Sequence, residues 1–232
     1  MFSSPIPVTI TRLRAALCRP LPGLPGQMCM APQPRPGAER ILDPNLNCRR
    51  AGVLVLLYPR AGELCLVLTW RTETLNNHRG QISLPGGSME PGETAAATAL
   101  REAQEELGID PASLELLGTL SPLYIPPSDF CIYPVVAYTA TRPSFSPNPE
   151  EVAEVIEEPL AHLLAAETHC EETWELRSQP VRVPFYAVGP HKVWGATAMV
   201  LCELATLLRA DVDSLPSPTV DAQLLVATPN GG

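Results

Sequence analysis

Residues 87–109 read GSMEPGETAAATALREAQEELGI. Glu93 stands six positions after Gly87, and Arg101 and Glu102 stand eight and nine after Glu93. Glu105, Glu106 and Gly108 follow in close succession. Residues 94–107 are rich in Ala, Leu, Glu and Gln and hold no internal Gly or Pro, a composition that predicts a helix. Pro91 and Gly92 lead into it, and Gly108 suits the left-handed residue that ends many helices. At about 100° per residue, Ala96, Leu100, Ala103 and Leu107 share one face and are expected to pack on a sheet. Glu102, Glu105 and Glu106, spaced i, i+3 and i+4, converge on another face.

Three carboxylates on one patch repel one another and call for a cation or full solvation. Hard oxygen donors in this number suit Mg²⁺ or Mn²⁺. Such an ion can bridge pyrophosphate oxygens and make a bound water more acidic, as hydrolysis of a P–O–P bond requires. Arg101 is next to this triad and is placed to orient Glu93 or Glu105. By itself, REAQEEL is an ordinary solvated helix face. The turn Leu84-Pro85-Gly86-Gly87 before it, whose glycines let backbone approach a ligand, shifts the reading toward a site.

The same residues fill every position of the Nudix box, G-x5-E-x7-R-E-U-x-E-E-x-G-U, where U is aliphatic or small. The chain thus resembles the Nudix hydrolases, which cleave nucleoside diphosphates linked to another moiety. The resemblance implies an α/β fold, an α/β/α sandwich with a mixed sheet between helices. It implies Glu102, Glu105 and Glu106 as ligands for Mg²⁺ or Mn²⁺, Glu105 also as the base, and Arg101 and Glu93 as organisers of the helix. Gly86 and Gly87 are expected to turn backbone amides toward phosphates.

Immediately upstream, residues 67–87 read VLTWRTETLNNHRGQISLPGG. This resembles the extra motif of the coenzyme A pyrophosphatase branch of Nudix enzymes. Thr69, Arg71, Leu75, His78, Gly80, Gln81, Pro85, Gly86 and Gly87 match. Further likenesses at residues 121–124, 128–130, 134–136, 151–155 and 194–198 extend it over roughly residues 50–205. The implied reaction splits coenzyme A or a derivative into 3′,5′-ADP and 4′-phosphopantetheine. Arg71, His78 and Gln81 are candidate substrate-binding residues beside Gly86 and Gly87. An arginine ending an apolar strand needs a partner, which favours a role for Arg71. His78 either meets a phosphate or caps the loop, and Gln81 reads more simply as a structural hydrogen bonder. Glu151 is a metal ligand, a general base, or a solvated loop carboxylate among Glu150, Glu154 and Glu157. Asn76 stands where the branch usually has Arg, removing a bidentate phosphate partner unless Arg79 replaces it. ADP-ribose, NADH or another nucleoside diphosphate derivative is therefore the alternative substrate. A non-catalytic nucleotide-binding domain is the third reading.

The remaining sequence bounds the setting. The 232 residues divide into a leader (1–46) with a short helix and a Pro-rich connector, a Nudix domain (47–210) and a loose tail (211–232). The net charge of −9 argues against nucleic acid as a partner. No run approaches the ~20 apolar residues of a membrane span. The expected partner is a small molecule, and homodimers are common among relatives. Seven scattered cysteines without a C-x-x-C pair read as free thiols in a reducing, intracellular compartment. Arg12, Arg14, Arg19 and Arg35 precede the first acid, Glu39, as in a mitochondrial transit peptide; the many prolines suit a plain cytoplasmic leader. Cytoplasm and mitochondrial matrix both stay open. Apart from targeting, a packing arm is the preferred role for the leader. Strands are expected at 51–58, 63–70, 81–84, 114–120, 131–140 and 181–188. Helices are expected at 8–18, 158–167 and 194–209, with an irregular stretch at 20–44.

Overall fold

Apolar residues without a break from Leu54 to Tyr58 mark a strand buried on both faces, and all five are inaccessible to solvent. The computed structural model describes residues 5–35, 40, 46–72, 81–176 and 178–213. That run lies in β1 (Arg49–Arg60), which turns back into β2 (Glu63–Arg71) with Leu57 opposite Leu66 and Arg60 opposite Glu63. Parallel to β1 runs β7 (Phe130–Tyr138), and β5 (Glu115–Thr119) and β6 (Leu123–Ile125) pair antiparallel with β7. On the other side, β3 (Ile82–Ser83) and β8 (Val152–Pro159) pair with β2, and β4 (Gly86–Ser88) pairs with the start of β1. One parallel pair among antiparallel ones makes the sheet mixed, as expected. A separate antiparallel sheet holds β9 (His169–Leu176), β10 (Gln179–Val188) and β11 (His191–Trp194).

Helix α3 (Ala95–Leu107) lies on one face of the large sheet. It packs Ala99, Ala103 and Leu107 against Leu54, Leu56, Tyr58, Cys65 and Val67. Thr94 caps its start by accepting the Ala97 N–H, and Gly108 ends it at φ 67°, the left-handed stop that the sequence predicts. The buried face matches expectation at Ala96, Ala103 and Leu107 and departs from it at Leu100. Thr98, Ala99, Ala103, Glu106 and Leu107 point inward, while Ala96 and Leu100 are half-buried. The rotation that carries the Glu106 carboxylate under the helix lifts Leu100 toward solvent.

The opposite face is covered by α1 (Ile6–Leu17), α2 (Gly23–Met28), α4 (Leu160–Leu164) and α5 (Gly195–Asp213). Ile10, Leu13, Ala16, Met30 and Ala31 from the first 35 residues are buried in this core beside Leu66, Leu68, Met199 and Leu204. This burial supports a packing arm. Several expectations are corrected. The connector is not wholly irregular, because α2 docks on α5. Residues 158–167 are only partly helical, since β8 runs to Pro159 before the short α4. Trp194 ends a strand instead of starting a helix. The tail beyond residue 213 lies outside the described residues.

Free thiols are likewise corrected for four cysteines. Cys29 is bonded to Cys202 and Cys48 to Cys131, leaving Cys18, Cys65 and Cys170 unbonded. The partners lie 173 and 83 residues apart, so only the docking of α2 on α5 and of β1 beside β7 brings them together.

Next to Cys202, Glu203 is wholly buried. Its carboxylate accepts N–H groups from Gly23 (3.0 Å), Ser121 (3.2 Å) and the Gln27 side chain (2.9 Å). One acid thus ties the arm and the β5–β6 connection to α5. Replacing Glu203 with Ala takes the acceptor from three donors, one buried and two partly buried. The expected loss of stability is about 3 kcal/mol, with a smaller loss for Glu203→Gln, which keeps an acceptor. Urea unfolding midpoints of the two variants check the difference.

Candidate active site

The end of β2 brings Arg71 to the glycine strand β4 and the acidic face of α3. Arg71 is the last residue of β2, where a bulge against β8 shifts the register after Trp70. Its Nη1 donates to Glu106 Oε1 at 2.8 Å, and Nη2 lies 3.9 Å from Glu151 Oε2. The side chain of Glu106 is 1% exposed. Burial pushes this carboxyl up to about 7; Arg71 opposes the rise, and Glu102 and Glu151 add to it. A second donor, the backbone N–H of Gly86, reaches Glu106 Oε2 at 3.3 Å. The Gly86 amide therefore serves the buried acid instead of opening toward a ligand.

Arg101 organises the outer half of the site. Its Nε and Nη2 donate to the two oxygens of Glu93 at 2.8 and 3.2 Å. Its Nη1 donates to Glu102 and to Glu105, each at 2.9 Å, and Nη2 reaches the carbonyl of Ser88 at 3.2 Å. Glu93 also accepts from the Thr98 hydroxyl (2.7 Å) and the Glu90 N–H (2.9 Å). These hydrogen bonds, the one from Arg101 foremost, hold its carboxyl down at about 2. Glu102, side chain 15% exposed, is raised by burial, with Arg101 opposing and Glu105 and Glu151 adding to the rise. Glu105 is 54% exposed and faces outward on the far side of Arg101.

Gly87 lets this packing exist. A Cβ on it would sit 2.3 Å from Glu102 Oε1. No side chain larger than hydrogen is compatible with Glu102 where it stands.

The structure thus brings together Glu93, Arg101, Glu102, Glu105, Glu106, Arg71, Gly86 and Gly87 of the expected residues. Gln81 stands beside them through its carbonyl, which accepts the Arg71 N–H at 3.1 Å. His78, together with Asn76 and Arg79, lies outside the described residues. Glu151, for which the sequence left a solvated loop position open, is drawn in by Arg71. Thr98 was not singled out from sequence, although its place five residues after Glu93, on the inner face of the helix, was a usable signal. Each carboxylate is turned onto a guanidinium. Among the described residues no three acidic, imidazole or thiol side chains stand in a metal-holding arrangement. No helix among them is long and apolar enough to cross a membrane.

The NUDIX domain family model matches residues 49–177. An uncharacterized Nudix hydrolase NudL of Photorhabdus laumondii is 36% identical over 173 residues, covering 73% of this chain and 89% of the relative. The human mitochondrial coenzyme A diphosphatase NUDT8 is 39% identical over 168 residues, covering 69% of each chain. A solved Nudix hydrolase from M. smegmatis, RenU, superposes with a TM-score of 0.48 at 18% identity, covering 73% of this chain and 88% of that one. Nudix hydrolases act on nucleoside diphosphate derivatives and generally use divalent metal ions. With the matched family model spanning the box, the glycine turn and Arg71, the chain belongs to the Nudix hydrolase family, and its fold and pyrophosphatase class are those of that family.

Proposed function

We propose that this protein hydrolyses the pyrophosphate bond of coenzyme A or a derivative, releasing 3′,5′-ADP and 4′-phosphopantetheine. One observation carries the reading: Arg71, from the motif that resembles the coenzyme A branch, is bonded to Glu106 of the Nudix box. The same guanidinium faces Glu151, from a third stretch of the same likeness. Three separate sequence likenesses therefore meet in one site. The printed activity of the human relative, a coenzyme A diphosphatase, supports the same substrate. Its mitochondrial designation, shared by a mouse relative, supports a mitochondrial location over the cytoplasm.

The donor chemistry suits a divalent cation, which the acids would take on turning from the arginines that hold them here. Two guanidinium groups face five carboxylates, those of Glu93, Glu102, Glu105, Glu106 and Glu151. Glu102 and Glu106 are both raised, by burial first and by neighbouring acids after it. Hard oxygen donors with surplus negative charge are what Mg²⁺ or Mn²⁺ takes. Glu102, Glu105 and Glu106 would hold the ion, with Glu151 as a further carboxylate on the Arg71 side. Bound there, it supplies charge neutralisation for the phosphates and a more acidic water.

The chain's own groups do the rest. Arg101 holds Glu102 and Glu105 at fixed places against their mutual repulsion, and Glu93 holds Arg101. Arg71 keeps Glu106 ionisable despite burial and brings Glu151 to the same end of the sheet. Proton removal from the attacking water falls to Glu151 or Glu105. The geometry favours Glu151, since Glu105 is engaged by Arg101 on the solvent side.

Side-by-side hydrolysis of coenzyme A, ADP-ribose and NADH with Mg²⁺ tests the substrate. Coenzyme A is expected to show the highest kcat/KM, and its being the poorest of the three overturns the proposal. Glu106→Gln is expected to lower kcat by at least about a hundredfold with circular dichroism unchanged. Gly87→Ala moves only the flexible end of Glu102. It should lower kcat about tenfold or more while shifting Tm by no more than a few degrees, as turnover and thermal melts together will show.

A further inference from the structure

The loop that carries Glu151 is not a free loop. Ser146 and Asn148 donate their backbone N–H groups to the carbonyls of Leu107 (2.8 Å) and Glu106 (2.9 Å), the end of α3, where helix carbonyls lack partners of their own. From there the chain turns tightly. The Asn148 carbonyl accepts the N–H of Glu151 (3.1 Å) and of Val152 (2.8 Å). The Asn148 side-chain oxygen accepts the Glu150 N–H at 3.1 Å, a turn that Asn and Asp both make. The Asn148 side-chain amide, the other end of the same group, donates to Glu151 Oε1 at 3.3 Å. Across the loop, Thr72, the residue after Arg71, donates its N–H to the Glu151 carbonyl (3.0 Å) and its hydroxyl to the Glu150 carbonyl (2.9 Å).

We propose that Asn148 is the positioning residue for Glu151, with its backbone on the carbonyl of Glu106 and its side-chain amide on the Glu151 carboxylate, so that the two acids keep one spacing. The proposal rests on the functional reading above. A carboxylate on a surface loop otherwise samples many rotamers, and one outer hydrogen bond of this kind commonly sets activity or metal affinity by 10–100-fold. Turn formation needs only the oxygen of the Asn148 side chain. The amide end is surplus to the turn, and it is the end that meets Glu151.

Asn148→Asp separates the two roles. It keeps the acceptor for Glu150 and replaces the donor facing Glu151 with an oxygen. Expected are a Tm close to wild type, a kcat lowered about ten- to a hundredfold, and a KM within about twofold. Asn148→Asp combined with Glu151→Gln is expected to be no slower than Glu151→Gln alone, since both remove one function. A multiplicative loss in the double variant overturns the proposal. So does a Tm and kcat that fall together in Asn148→Asp while Asn148→Ser behaves alike. A readout independent of turnover is the Asn148 side-chain amide resonance in metal-free protein. It should move on Glu151→Gln, and an unmoved resonance overturns the link. A wild-type protein without pyrophosphatase activity sinks the functional reading beneath the proposal, whereas active wild type with additive variants sinks the proposal alone.

Discussion

The pairing of Glu106 with Arg71 is the constraint around which the site is built. A carboxylate with 1% of its side chain exposed is costly to leave unpaired, by several kcal/mol. One guanidinium and the Gly86 N–H answer it. The requirement sets where β2 must end, how closely the glycine strand must approach α3, and which way the helix is rotated. Leu100 loses the inward position that simple helical spacing assigns it because Glu106 takes the inner face, while Ala96 still packs on the core from the helix's first turn. The same burial pushes the acid up to about 7, a rise that Arg71 opposes.

Around this pair the charges are arranged unequally. Arg101 binds three carboxylates and a carbonyl, so the outer half of the site is rigid without any ligand. Arg71 binds one acid closely and a second at 3.9 Å, so the inner half is held less tightly. Glu151 belongs to this looser half, and its place depends on loop hydrogen bonds to the end of α3. The two arginines are not interchangeable: one makes a scaffold of the helix, the other joins three segments distant in sequence.

The far side of the sheet answers a different need. β1 and β2 are apolar on both faces, so the face away from α3 must be covered. The first 35 residues supply much of that cover through α1 and α2, and Glu203 fixes α2 by accepting from Gly23 and Gln27 while also accepting from Ser121 of the β5–β6 connection. The Cys29–Cys202 bond lies beside that anchor. An arm rich in proline and arginine thus belongs to the core, although its composition alone suits a targeting segment equally well.

Much of the molecule was legible in the residues themselves. The helix and its Gly108 stop follow from local propensity and backbone freedom, though Thr94, expected as its first residue, caps it instead, and the β1–β2 hairpin follows from two apolar runs around a turn. The gathering of Glu102, Glu105 and Arg101 follows from helical spacing. What spacing does not encode is the partner of a residue far along the chain. Arg71 meeting Glu106, Glu151 joining them, Cys29 meeting Cys202 and Glu203 holding the arm all depend on which strands lie side by side. Strand β8 lies outside the expected strands because its three acids resemble a solvated loop, and the helix expected at 158–167 shrinks to the five residues of α4 because β8 takes its first two positions. Local chemistry along the chain determined the acidic helix and its charge. The folded sheet alone decided which of those charges is buried, because burial comes from neighbours that sequence order keeps apart.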